Sequence, residues 1–149
     1  MTYSGGAPTW NYSSGIEDSI FNGVKVIDDG FVTASYTGSE GFVVSRRDPA
    51  GEPLWRSSEC IGTTGRAIAI DPNDQTIVAI GQGVSNDSNI RLCKFTASGD
   101  FLWGKDLDGG KGNDRGWNVD ILDNGTIIAV GDQMGELSRP DAWIAAYSP

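Results

Sequence analysis

One short string of residues recurs along this chain, and the recurrence limits the fold more than any composition does. Thr76-Ile-Val-Ala-Ile-Gly81 returns as Thr126-Ile-Ile-Ala-Val-Gly131, and Phe31-Val-Thr-Ala-Ser-Tyr36 is a looser copy with Tyr36 in place of the glycine. After each copy come a polar loop and a second apolar run, Phe42–Arg46, Ile90–Lys94 or Ala142–Ala146. The turns Asp48-Pro-Ala-Gly51 and Thr96-Ala-Ser-Gly99 then lead to Trp55 and Trp103, and Gly6-Ala-Pro-Thr-Trp10 has the same ending. Ahead of each copy stands another apolar run, Val24–Ile27, Ala67–Ile70 or Val119–Leu122, joined to it by Asp28-Asp-Gly30, Asp71-Pro-Asn-Asp74 or Asp123-Asn-Gly125.

Those connectors are hairpin signals, because a tight turn needs positive φ at positions where Gly, Asn and Asp are tolerated. The 21 Gly against 6 Pro fit many such turns. Each repeat therefore reads as four short antiparallel strands, about 45 to 50 residues in all, which is the period of a β-propeller blade. Strands such as Thr-Ile-Val-Ala-Ile are apolar on both faces, as required where one sheet is sandwiched between two others. The expectation is an all-β fold, a β-propeller module over residues 1–149. Its three four-stranded blades lie near residues 11–55, 56–103, and 104–149 together with 1–10.

The order of elements also resembles a β-propeller repeat family common in microbial proteins: Trp, Gly-Asp, an Asp-Gly hairpin, Ile-Val-Ala-Gly, Asp-x-Trp-Ile, then Gly-x-x-x-Trp. The third repeat carries the resemblance most fully, with Trp103, Gly112-Asn-Asp114, Asp123-Asn-Gly125, Ile127–Gly131 and Asp141-Ala-Trp-Ile144. The second has Thr63-Thr64 where the Asp is expected. The resemblance implies the fold and assigns no activity, since propellers carry many unrelated functions.

Three blades are too few for a ring, because propellers typically have four to eight. Joining Pro149 to Gly6–Trp10 would restore the register of Asp48–Trp55, so the N-terminal strand is expected to complete the last blade. Two chains meeting head to tail would do this in trans and give a six-bladed homodimer. The competing arrangement is a piece of a longer propeller.

The chemistry is bounded by exclusions. The chain has no histidine, which removes Ser-His-Asp and Cys-His nucleophiles and His-ligated zinc or iron. With 11 Lys and Arg against 20 Asp and Glu, its formal charge of −9 repels phosphate backbones and anionic lipid, so no nucleic-acid or membrane partner is expected. Cys60 and Cys93 are expected as free, buried thiols; Cys93 aligns with Ser45 and Ala145, a position that wants a small side chain.

Asp18, Asp114, Arg66 and Arg115 fall just before the first strands of their repeats, where a propeller has its axial opening. There the arginines could take an anionic ligand, and the face of Trp117 a sugar or a cation. Asp106, Asp108 and Asp114 alternate like a calcium loop, but Gly110 takes the third ligand position and Lys111 the turn-glycine position. No cofactor is expected, calcium being the alternative. The functional expectation is a non-catalytic scaffold or binding module that closes a ring by self-assembly, against a calcium-dependent hydrolase of the lactonase or esterase kind, or a carbohydrate-binding lectin.

Overall fold

A computed structural model describes residues 11, 13, 15, 18–84, 89–107, 112–135 and 139–149, which form eleven strands and no helix. Strands β1 (Ser19–Ile27), β2 (Gly30–Thr37), β3 (Gly41–Arg47) and β4 (Pro53–Ser57) make a first antiparallel sheet in chain order. A second is built alike from β5 (Thr64–Ile70), β6 (Ile77–Gln82), β7 (Ile90–Phe95) and β8 (Phe101–Leu107). The third has β9 (Arg115–Ile121), β10 (Ile127–Met134) and β11 (Pro140–Tyr147). Its expected fourth strand, around Trp10, lies outside the described residues.

The turns form where the sequence signals them. Gly51 N–H bonds the Asp48 carbonyl at 3.0 Å, Gly99 N–H that of Thr96 at 3.1 Å, and Leu122 N–H that of Thr126 at 2.9 Å. Strand pairing then fixes which residues are equivalent. Val32 faces Arg46, Val78 faces Lys94 and Ile128 faces Ala146, while Arg46 and Lys94 face Trp55 and Trp103. This register moves the first repeat by one residue from its sequence alignment: Ser35, not Tyr36, stands where Gly81 and Gly131 stand.

Each sheet has a forward face toward the next sheet and a rear face toward the one before. Val32, Ala34, Phe42 and Val44 on the forward face of the first sheet pack with Ile68, Ile77, Ala79, Cys93 and Phe95 on the rear of the second. Val78, Ile80, Ile90 and Leu92 on the second sheet's forward face pack with Val119, Ile127 and Ala129 on the rear of the third. Burying each of these larger side chains contributes about 1.5–3 kcal/mol. Trp55 spans the first layer, stacking on Phe95 at 6.3 Å and donating its indole N–H to the Ala97 carbonyl at 3.1 Å. Trp103 packs against the second layer.

The cysteines are not free. Cys60, in the connection between β4 and β5, is bonded to Cys93 on β7 with Cα atoms 5.8 Å apart. Alignment identified the Cys93 position as small but gave Cys60 no strand, and hence no neighbour. The bond fastens the crossover between two sheets to the middle of the second.

Candidate functional site

The first strands of the three sheets lie side by side, β1 against β5 and β5 against β9. Each contains a β-bulge at the same register. In β1 it falls between Phe21 and Gly23, in β5 between Gly65 and Ala67, and in β9 opposite Val130 and Gly131. The extra residues are thus Asn22, Arg66 and Trp117, and a bulge re-aims the side chain it carries. Gly65 and Gly116 directly precede two of these residues and admit the preceding sheet closely: a Cβ on Gly65 would strike the Phe42 ring, and one on Gly116 the Ile80 side chain.

The bulges place their residues in one continuous cluster. The Asn22 amide donates to the Gly65 carbonyl at 2.8 Å. The Arg66 guanidinium lies over the Trp117 ring, 4.2 Å from its centroid, and that of Arg115 is 5.9 Å from the same centroid. Trp117 Nε1–H donates to Asp132 Oδ2, and Asp132 Oδ1 lies 4.0 Å from Arg115 Nε. Burial and the nearby Arg115 push the Arg66 guanidinium below its ordinary value, with Asp132 drawing it partly back. All four side chains keep some solvent access, Trp117 being 45% exposed.

Three of the sequence candidates, Arg66, Arg115 and Trp117, therefore come together, with two corrections. Arg66 and Arg115 are not equivalent: Arg66 matches Trp117, and Arg115 matches Thr64. Trp117 lies inside β9 rather than ahead of it, and Arg66 lies over its ring at 4.2 Å from the centroid.

Asp114 is fully buried, and its carboxylate accepts the Met134 backbone N–H at 2.8 Å, which is a structural use of the side chain. Asp18 is exposed at the entry to β1 with φ 53°. Asp106 lies on β8 and pairs with Arg91 at 3.1 Å, so it is not turned toward Asp114; Asp108 lies outside the described residues. Among the described residues no three His, Cys, Asp or Glu side chains form a metal-sized group.

Asn22 and Asp132 were missed. The signal for Asn22 was Phe21-Asn-Gly23, a glycine inside a strand, which marks a bulge. Nothing in Gly131-Asp132-Gln133 announces a partner for an indole one strand away. A separate cavity of about 240 Å³ opens on the rear of the first sheet, lined by Phe21, Ser35, Val43, Ser45, Arg47 and Pro53 among others. It contains none of the candidates.

No protein-family profile matches the chain, and no curated protein does. Among solved structures it is similar to a crystal structure of a protein of unknown function from Bacteroides caccae, with a TM-score of 0.53 and 14% identity over 93% of this chain. The chain spans 49% of that protein's length. At that identity the likeness concerns the fold alone.

Proposed function

We propose that the three sheets are consecutive blades of a β-propeller and that the chain is a non-catalytic binding module. Two copies meet head to tail to close a six-bladed ring around the first strands. The observation that carries this reading is an equivalence of faces. Ile128, Val130 and Ile144 on the forward face of the third sheet occupy the positions of Val32, Ala34 and Val44 in the first, and of Val78, Ile80 and Leu92 in the second. Those six equivalents are completely buried, yet Ile144 is 71% exposed. At the other end, Val24 on the rear of the first sheet is 63% exposed, while its equivalents Ile68 and Val119 are both 2% exposed.

The forward face of the third sheet is thus of the kind that is covered inside the stack, and on the rear of the first sheet the innermost strand is open at Val24, while Thr33, Ser35, Val43 and Ser45 behind β2 and β3 are buried. A second copy supplies both missing partners at once, which makes it the occupant these faces fit. The likeness to a longer chain that holds this arrangement in about half its length supports reading three sheets as half of a larger array.

The test is absolute mass in solution together with Ile144→Asp. The reading expects a dimer that the substitution converts to folded monomer. A wild-type chain that stays monomeric at high concentration overturns it.

A further inference from the structure

We propose that the Arg66, Trp117 and Arg115 cluster receives a small oxyanion, a carboxylate or phosphate group, gripped by the in-plane edge of the Arg66 guanidinium. All the contacts lie within one chain, so the inference stands without the ring.

Arg66 is stacked but not neutralised. Its guanidinium lies 4.2 Å from the Trp117 centroid, no carboxylate or carbonyl among the described residues hydrogen-bonds to it, and its Nε is buried without a hydrogen-bond partner. Asp132 is engaged by Trp117 Nε1 through one oxygen and approached by Arg115 through the other. Elsewhere the half-buried arginines of this acidic chain meet carboxylates, Arg46 with Asp29 at 3.2 Å and Arg91 with Asp106 at 3.1 Å. Arg66 instead sits over an indole, beside an Arg115 that shares its carboxylate, Asp132, with Trp117, so two positive charges meet one negative in a chain of net charge −9.

A guanidinium over an indole uses one side of its plane there, and with Nε buried the edge left to meet a ligand is that of the two Nη groups. That edge is the fork that pairs two oxygens of a carboxylate or phosphate at once. Trp117 fixes the plane of the fork, and Asp132 fixes Trp117 through the indole N–H. Arg115 adds a second positive charge beside the bound group. The bulge is what makes this possible, because a regular strand would send residue 66 to one sheet face instead of holding it across to β9.

The experiment is calorimetric titration at low ionic strength with inorganic phosphate and, separately, succinate, with tryptophan fluorescence followed in parallel. One saturable site per chain is expected for at least one of them, with an emission change that Trp117→Phe removes. Arg66→Gln and Arg66→Lys should each weaken binding about tenfold or more, since lysine keeps the charge and loses the fork. Lys105→Gln, which removes the same charge from the outermost strand of the second sheet, should leave it unchanged. Arg115→Gln, expected to weaken binding as well, provides a second variant if Arg66→Gln proves unstable.

Phosphate bound in preference to succinate assigns the site to phosphoesters, and the reverse to carboxylates. The proposal is overturned if neither anion binds saturably, if Arg66→Gln binds like wild type, or if Lys105→Gln weakens binding as much as Arg66→Gln does.

Discussion

The second sheet and the third are built from nearly the same string of residues, yet they live in different surroundings. In the second, Ile77 to Ile80 are buried on both faces of β6. In the third, Ile127 and Ala129 are buried, while Ile128 and Val130 on the opposite face are only partly covered and Ile144 beside them is exposed. Repeat sequence therefore does not set burial; neighbours do. An apolar face repeated at a position without a neighbour marks the place where one belongs.

The sharpest way to break this comparison is to put the same charge at equivalent positions of the two sheets. Leu92→Asp buries a carboxylate between the second and third sheets and should cost about 4 kcal/mol or more, enough to abolish folding of a domain of ordinary stability. Ile144→Asp should leave the protomer's circular dichroism unchanged and abolish only the association. Equal damage from both would mean that Ile144 is covered within its own chain.

A smaller effect separates the layer that holds the disulfide from the layer that does not. Replacing both Cys60 and Cys93 by Ala should remove about 3–4 kcal/mol by the loop-entropy account, read as a lower urea midpoint. An equal loss on adding reductant to the wild-type chain would confirm the bond, and no loss would contradict it. Next comes Trp55→Phe, which keeps the stacking on Phe95 but drops the hydrogen bond to Ala97 and should cost about 1 kcal/mol. Trp117→Phe, at an exposed position outside either core, should cost less in the same urea titration.

The smallest effect lies in the turn between β5 and β6. Hydrogen bonds from the side chain and backbone of Thr76 hold the Asp74 carboxyl below its ordinary range. Because the folded state binds this proton more weakly than the unfolded one, the contribution is fully present above the unfolded pKa. It disappears as the pH falls through the depressed folded value. A melting temperature that falls on acidification below about pH 4 should therefore fall slightly less in Asp74→Asn.

The hairpins, the strands that follow them and the layering were legible in the sequence, because turn residues and doubly apolar runs such as Ile77–Ile80 each have one physical meaning. The first half of every inner strand was not. Val24, Ala67 and Val119 were read as strand starts, but β1, β5 and β9 begin at Ser19, Thr64 and Arg115. A bulge shifts the two-residue alternation by one, so Phe21-Asn22-Gly23, Gly65-Arg66-Ala67 and Gly116-Trp117-Asn118 look like loop.

The candidate cluster occupies those same broken stretches. Sequence position found Arg66, Arg115 and Trp117 but could not tell that Arg66 would lie over the Trp117 ring, since the contact depends on two bulges in different sheets coming into line. The one-residue offset of Phe31–Tyr36 was hidden for a related reason: Thr33 and Ser35 lie on the rear face of the first sheet, where the second has Ala79 and Gly81, and apolar likeness gives no anchor there.

The central claim is that the open forward face of the third sheet belongs against the first sheet of a second copy of the chain. Light scattering coupled to size exclusion reports this most directly. The account predicts a mass near twice 15.8 kDa for the wild-type chain and near 15.8 kDa for Ile144→Asp. A wild-type mass of 15.8 kDa across the concentration range would contradict it.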